Sequence, residues 1–395
     1  MQGGVREVAG AFLKLGMTSF GGPVAHLGYF REEFVRRRAW LDERTYAGVV
    51  GLCQFLPGPA SSQAAMLLGY MRAGAPGAFA AWVAFTAPSA FLMMLFAAAL
   101  ISHAAALNGP TAVAVVHGLK LVAVPVVAQA VCQMARTLCP DLRRAVIALA
   151  GARAMIAIPG AVTQIAAIAA GALAGVLLLR SDEASPASLP RSVSQNTGVI
   201  FLAAFAALLL LLPLARGVSP LAALADAMYR AGALVFGGGH VVLPLLREAV
   251  VGQGWLSDET FLAGYGAAQA MPGPLFSVAA FIGLLAQQPS AGAPGALVAL
   301  TAIFLPGALI LFGVLPFWAR VQTDARAKAA LKGVNAAVVG VLAAALYSPV
   351  GMTAIVRWTD AVIAAIAFAV LMIWRVPSWI VVLGTVAATC AVALT

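Results

Sequence analysis

The sequence predicts an all-α polytopic membrane protein made of two inverted-topology repeats, with broken or re-entrant helices near the membrane midplane. Three observations predict it. The 395 residues are 62% hydrophobic and 10% charged, with a mean hydropathy of +0.97, whereas about a quarter of a water-soluble domain is charged. A twenty-residue stretch is written twice: Trp40 to Pro59 and Trp255 to Pro274 agree at eight of twenty positions. Matching loops of the two copies also carry opposite biases in Lys and Arg.

The apolar stretches follow in order near 9–27, 46–72, 76–103, 112–135, 145–158, 161–180, 198–215, 222–246, 260–287, 294–318, 329–349, 357–374 and 377–394. Lipid forces each segment to satisfy its own backbone polar groups, so almost all are predicted helical. The polar interval Ser181 to Thr197 reads as a linker. The chain therefore divides into an N-terminal repeat, 1–180, a linker with a connecting membrane segment, 181–221, and a C-terminal repeat, 222–395. Upstream of the duplicated stretch, Phe20-Gly21-Gly22 recurs as Phe236-Gly237-Gly238; downstream, Ala73 to Ala78 recurs letter for letter as Ala291 to Ala296. The offset drifts from 216 to 215 to 218 residues, and each drift falls between elements, as expected of a duplicated module.

Loop 31–44 holds five Lys and Arg residues and its mate 247–259 one, while 103–117 holds none and its mate 319–332 four. Cytoplasmic loops retain these residues, so matching loops face opposite sides and the repeats are inverted. An odd number of crossings must then separate 31–44 from 103–117. Pro57, Gly58 and Pro59 interrupt 46–72, and Pro272, Gly273 and Pro274 interrupt 260–287, so these stretches are the ones expected to break rather than cross. The same count asks 145–180 for an odd number of crossings.

The net charge of +10 lies in short clusters between apolar stretches rather than on one face, which excludes nucleic acid as partner. The four cysteines have no metal-ligand spacing, and no cofactor or metal is implied. No phosphate-binding loop is present to support ATP hydrolysis. The start lacks the order of a cleavable signal. Arg36 to Arg38 with Glu32 and Glu33 read as a solvated loop, and Trp40 and Trp255 as interface anchors.

The chemistry that these residues support is anion binding. Gly21, Gly22, Gly237, Gly238 and Gly239 let a ligand approach backbone N–H groups at an interrupted helix. Thr18, Ser19, Ser61, Ser62 and Ser277 lie near the breaks, and Gln54 and Gln269 each stand three residues before a Pro-Gly-Pro triplet. The bland alternative is that the glycines allow close helix packing and the glutamines cap freed carbonyls. Lys14 and Arg230 occupy matching places and Lys120 sits within an apolar stretch, where a cation is costly enough to suggest function. Asp226, one turn before Arg230, offers a plain ion pair instead. His26 and His240 follow the glycine motifs and are the proton-coupling candidates.

FLKLGMTSFGGPVAHLGYFREEF, then QFLPGPASSQ, then a second FGGGHVVLP and QAMPGP, resemble the chromate ion transporter family in its long, two-domain form. The resemblance implies a multi-pass inner-membrane protein that exports chromate from the cytoplasm and confers chromate resistance. Its partners would be chromate or a similar oxyanion such as sulfate, and the lipid bilayer, with assembly into homo-oligomers left open. A membrane-embedded enzyme is the rival class. It would need an apposed nucleophile and base or a carboxylate cluster, and beyond the first loop only Asp226 and Asp360 lie in or beside apolar stretches.

Overall fold

A computed structural model of the protein describes residues 3–102, 110–179, 193–236, 239–286 and 292–394. All regular structure among the described residues is helical. The N-terminal half contains α1 (Val5–Thr18), α2 (Gly22–Arg31), α3 (Glu43–Phe55), α4 (Ala60–Ser102), α5 (Pro110–Leu121), α6 (Ala123–Leu138), α7 (Leu142–Ala157) and α8 (Ala161–Leu178). After α9 (Gln195–Leu211), the C-terminal half runs α10 (Pro220–Ala233), α11 (Val242–Val250), α12 (Asp258–Ala270), α13 (Val278–Leu285) and α14 (Gly292–Val314). It continues through the short α15 (Trp318–Val321) to α16 (Ala325–Ala345), the short α17 (Met352–Ala354), α18 (Trp358–Met372) and α19 (Ser378–Leu394).

The breaks fall where backbone donors are missing. α3 ends at Phe55 and α4 starts at Ala60, with Pro57 to Pro59 between; α12 ends at Ala270, and a 3-10 turn, Leu275–Ser277, leads into α13. α3 has 13 residues, about 20 Å at 1.5 Å per residue, which cannot cross a core about 30 Å thick. α4 looks continuous but kinks at Ala73 and Gly74, where Gly74 has φ 71° and ψ −159°. Its first arm is therefore as short as α3. Gly292, the mate of Gly74 at an offset of 218, also has positive φ, 65°.

Helix starts obey local rules that both halves share. Asp42 accepts from the Thr45 N–H at the start of α3, and Ser257 accepts from the Thr260 N–H at the start of α12. These are matching N-caps, 215 residues apart.

Among the described residues, five helical stretches are long and apolar enough to cross a membrane: Ala60–Ser102, Ala112–Leu138, Gln195–Ala215, Gly292–Val321 and Ala325–Ala354. α9 is the only one of the five without a mate in the other half, and it packs against α14 at the edge of the bundle. The halves exchange their terminal helix pairs. α7 and α8 pack on α16, while α18 and α19 pack on α6 and α5. Small residues allow the close approach: Gly333 of α16 abuts Gly171 of α8, and its mate Gly118 of α5 abuts Val386 of α19.

Three expectations change. Segment 145–180 forms two helices, α7 and α8, joined by a three-residue turn and packed on each other. Two packed helices call for an even number of passes if both cross, and 222–246, taken above as one crossing, is split into α10 and α11. Trp40 is not an interface anchor. It is 5% exposed, stacks on Phe34 and donates through Nε1 to Glu7 at 3.0 Å. Glu32 to Arg37 is a helical continuation of α2 rather than a solvated loop, with Glu33 buried between Lys14 and Arg38.

Candidate functional site

The two Pro-Gly-Pro breaks meet the two Phe-Gly-Gly breaks, each in the opposite half. A proline has no N–H, so the glycine supplies the sole backbone donor of each triplet. Gly58 N–H donates to Val235 O at 2.7 Å, and Gly273 N–H donates to Ser19 O at 2.8 Å. Val235 and Ser19 are mates, each directly before its Phe-Gly-Gly. Gly58 and Gly273 have φ of 117° and 91°, a region closed to most residues with a side chain. The duplicated motifs thus form one reciprocal crossing between the halves.

The surroundings of the two crossings match in place but differ in chemistry. A Cβ on Gly58 would lie 3.0 Å from Gly307 Cα, and one on Gly273 would lie 3.0 Å from Ser89 Oγ. Gly307 and Ser89 are mates at an offset of 218. At the first crossing the buried Gln63 amide donates to Pro57 O at 2.9 Å and to Gly307 O at 3.0 Å. It satisfies a carbonyl freed by the broken helix. At the second, Ser89 Oγ donates to Thr86 O at 3.0 Å.

Buried polar atoms gather around this crossing with their hydrogen-bonding capacity unused. Among the described residues, Ser19 Oγ, both His26 ring nitrogens, Ser62 Oγ, Thr86 Oγ1, Gln63 Oε1 and Gln269 Nε2 have no partner at ordinary hydrogen-bond geometry, although the His26 ring lies near the Ser19 backbone and the Gln269 amide near the Tyr265 hydroxyl. Such atoms are costly to bury unless something else meets them. Most can donate and none is a fixed cation, a set suited to an oxyanion that carries only acceptors. His26 stands edge-on to Phe85, ring centroids 5.4 Å apart, and the Phe85 carbonyl borders Gly273. His240 Nδ1 lies 3.1 Å from the Tyr265 hydroxyl, and its Nε2 is the nearest atom to a Cβ built on Gly22, at 3.8 Å. Gln269 follows one turn after Tyr265.

The sequence-predicted residues therefore separate. Gly22, His26, Pro57, Gly58, Pro59, Ser62, His240, Gln269, Pro272, Gly273, Pro274 and Ser277 belong to the two breaks or the helical turns beside them. Gly21, with φ 97°, caps α2. Gly237 and Gly238 lie outside the described residues. Gln54 is exposed, whereas Gln269 is 8% exposed. The three candidate cations are paired away from the crossing. Lys14 bonds Glu33 at 3.0 Å. Arg230 bonds Asp226 at 2.8 Å, an acid also held by Arg216. Lys120 reaches Glu259 at 3.3 Å in a cleft of about 760 Å³ between α5, α12, α18 and α19. His117 lies one turn before Lys120 in that cleft and bonds Asp360 at 2.9 Å.

Sequence reading missed Gln63 and Tyr265. Gln63 carries a signal, being the one amide in an otherwise apolar and small stretch after Pro59, and Tyr265 carries none. Among the described residues no cluster of three or more His, Cys, Asp or Glu side chains could hold a metal ion.

A family model described as "Chromate transporter" matches residues 6–176 and 222–390. A chromate transport protein of Cupriavidus metallidurans is 31% identical over 87% of this chain and 82% of its own. One of Pseudomonas aeruginosa is 29% identical over 84% of this chain and 78% of its own. An uncharacterized transporter of Methanocaldococcus jannaschii is 29% identical over 85% and 81%. No solved structure matches the chain.

Proposed function

Because the chain belongs to the chromate transporter family, we propose that it is a secondary transporter that exports chromate from the cytoplasm across the inner membrane and confers chromate resistance. The two halves are inverted relative to each other and alternate access to a site at the crossing of their broken motifs. The observation that carries this reading is the reciprocal pair of bonds, Gly58 to Val235 and Gly273 to Ser19. Two breaks pinned to two breaks place non-helical backbone inside the protein, the setting in which lipid tolerates it. Half-helices meeting at such a point are how transporters with internal repeats build a midplane site.

Inversion is supported by the helix count as well as by the loop charges. If α1 with α2 and α3 with the first arm of α4 both turn back, the N-terminal half crosses an even number of times. The unmatched α9 then adds the single crossing that turns the second half over.

In this reading chromate sits among Ser19, Ser62, Thr86 and Gln269, whose hydroxyl and amide groups donate to its four oxygens, with the glycine backbones close by. Neutral donors hold a dianion firmly enough to select it and loosely enough to release it. His26 and His240 are the groups through which a proton would couple. The membrane potential favours export of a dianion from a negative-inside cell by roughly 2.3 kcal/mol per charge per 100 mV.

Uptake of labelled chromate into everted vesicles, with sulfate as competitor, tests the proposal. The parent should accumulate chromate and Gln269→Ala should lower the rate at least tenfold at equal expression. Sulfate competing as well as unlabelled chromate would broaden the substrate to tetrahedral oxyanions in general, while absence of uptake by the parent would refute the reading.

A further inference from the structure

We propose that the face of α3 carrying Ala47, Gly51 and Gln54 walls the anion's access path from the side of the basic loops. Transport closes that path by docking Gly51 onto α16, as Gly266 now docks onto α5. The inference rests on the two-half transport reading above and names the surfaces that exchange.

α3 and α12 are mates, yet their surroundings differ. Every residue of α12 from Phe261 to Gln269 is buried, whereas α3 exposes Ala47, Gly51 and Gln54. These three recur at i, i+4 and i+7 and share one helix face. A Cβ on Gly266 would fall 1.9 Å from the Leu119 carbonyl oxygen of α5. On Gly51 the same Cβ would meet nothing within 4 Å. An offset of 215 carries Leu119 of α5 to Val334 of α16, so the missing contact is the one between α3 and α16. A face that bears a glutamine amide is a poor surface for hydrocarbon and a good one for an aqueous path.

The charges fit the same assignment. On the closed side Lys120 pairs with Glu259 at 3.3 Å and ties α5 to α12. The mates of these two residues are Asn335 and Arg44, which cannot form an ion pair. α16 carries Lys328, Lys332 and Asn335 at i, i+4 and i+7, all half-buried. The ion pair that ties α5 to α12 therefore has no counterpart at the matching positions of α16 and α3.

The test uses full-length protein in proteoliposomes with Cys132, Cys139 and Cys390 changed to Ser and the fully buried Cys53 retained. A membrane-impermeant maleimide added from the basic-loop face should label Gln54→Cys at least tenfold faster than Gln269→Cys. Gly51→Leu places its side chain in open space, so the protein should fold and keep Gln54→Cys labelling. It should lower chromate flux at least tenfold, and also lower the slow labelling of Gln269→Cys from the opposite face at least tenfold, because the alternate state is no longer reached. Equal labelling at 54 and 269, labelling of 54 from the opposite face only, or parental Gln269→Cys labelling in Gly51→Leu would overturn the inference. If the labelling pattern holds while the parent carries no chromate, the access path stands and the assignment of substrate fails.

Discussion

Gly266 on α12 presses its backbone against the Leu119 carbonyl, whereas Gly51, the same letter in the same register on α3, faces open space. The pair teaches that duplication fixes which surfaces are made to meet but not whether they are meeting. At the centre the halves agree: each Pro-Gly-Pro glycine bonds the carbonyl before the other half's Phe-Gly-Gly. At the flanks they disagree, with α12 encased by α5, α13 and α19 and α3 packed mainly on α2 and α4. Symmetry at the central crossing together with asymmetry at the edges is what the proposed alternation between two related states would require.

Substitutions that tell the halves apart sharpen this comparison. The largest effect is expected at Gly266→Ala, where a methyl group at 1.9 Å from a backbone oxygen forces α12 off α5. Overpacking of this kind should cost about 3 kcal/mol, read as a lower apparent Tm in detergent, whereas Gly51→Ala should leave the Tm unchanged or slightly raised. Equal losses at both glycines would erase the asymmetry.

Next come Gly58→Ala and Gly273→Ala. Each forces a side chain into a positive-φ position with a neighbour 3.0 Å away, at a cost on the order of 1–3 kcal/mol. Because the crossings are reciprocal, the two variants should lose stability and flux alike; a loss confined to one would break the equivalence of the central bonds.

A smaller effect separates the crossings chemically. Gln63→Val copies the residue at its mate, Val278, and strands the Pro57 and Gly307 carbonyls. About 2 kcal/mol of stability should be lost, and a loss well below that would show that the amide is not what separates the two crossings.

The smallest concerns the N-caps. Hydrogen bonding from the Thr45 N–H holds the Asp42 carboxyl below its usual range. A depressed folded-state pKa contributes stability above the unfolded carboxylate range and loses it as pH falls through the folded value. Its mate Ser257 does not titrate. Asp42→Ser should therefore flatten the acid limb of the stability profile slightly, and an unchanged limb would remove this difference between the halves.

Much of this was legible in the chain. The repeat register located α3 with α12 and both Pro-Gly-Pro breaks, because glycine and proline act on their own backbone. The pairing of Asp226 with Arg230 follows from i, i+4 spacing alone. What the chain could not reveal is contact between halves. Nothing local says that Gly58 bonds Val235 rather than its own repeat's Ser19, since the choice is made by packing some 180 residues distant in sequence. Glutamines capping freed carbonyls were a correct idea attached to Gln54 and Gln269, whereas Gln63 does it. Trp40 and Glu33 misled for a related reason: aromatic and charged letters read as surface, but each is buried with a specific partner, Glu7 for the indole and Lys14 and Arg38 for the carboxylate.

The central claim is that the halves lie upside down relative to each other, and the face on which matching loops emerge tests it most directly. Arg36→Cys, in the helical extension of α2, and Gln253→Cys, after α11, sit in matching segments between the breaks, and both positions are exposed. In sealed vesicles of known orientation an impermeant thiol reagent should label the first only from the cytoplasmic face and the second only from the opposite face. Labelling of both from one face would contradict the account.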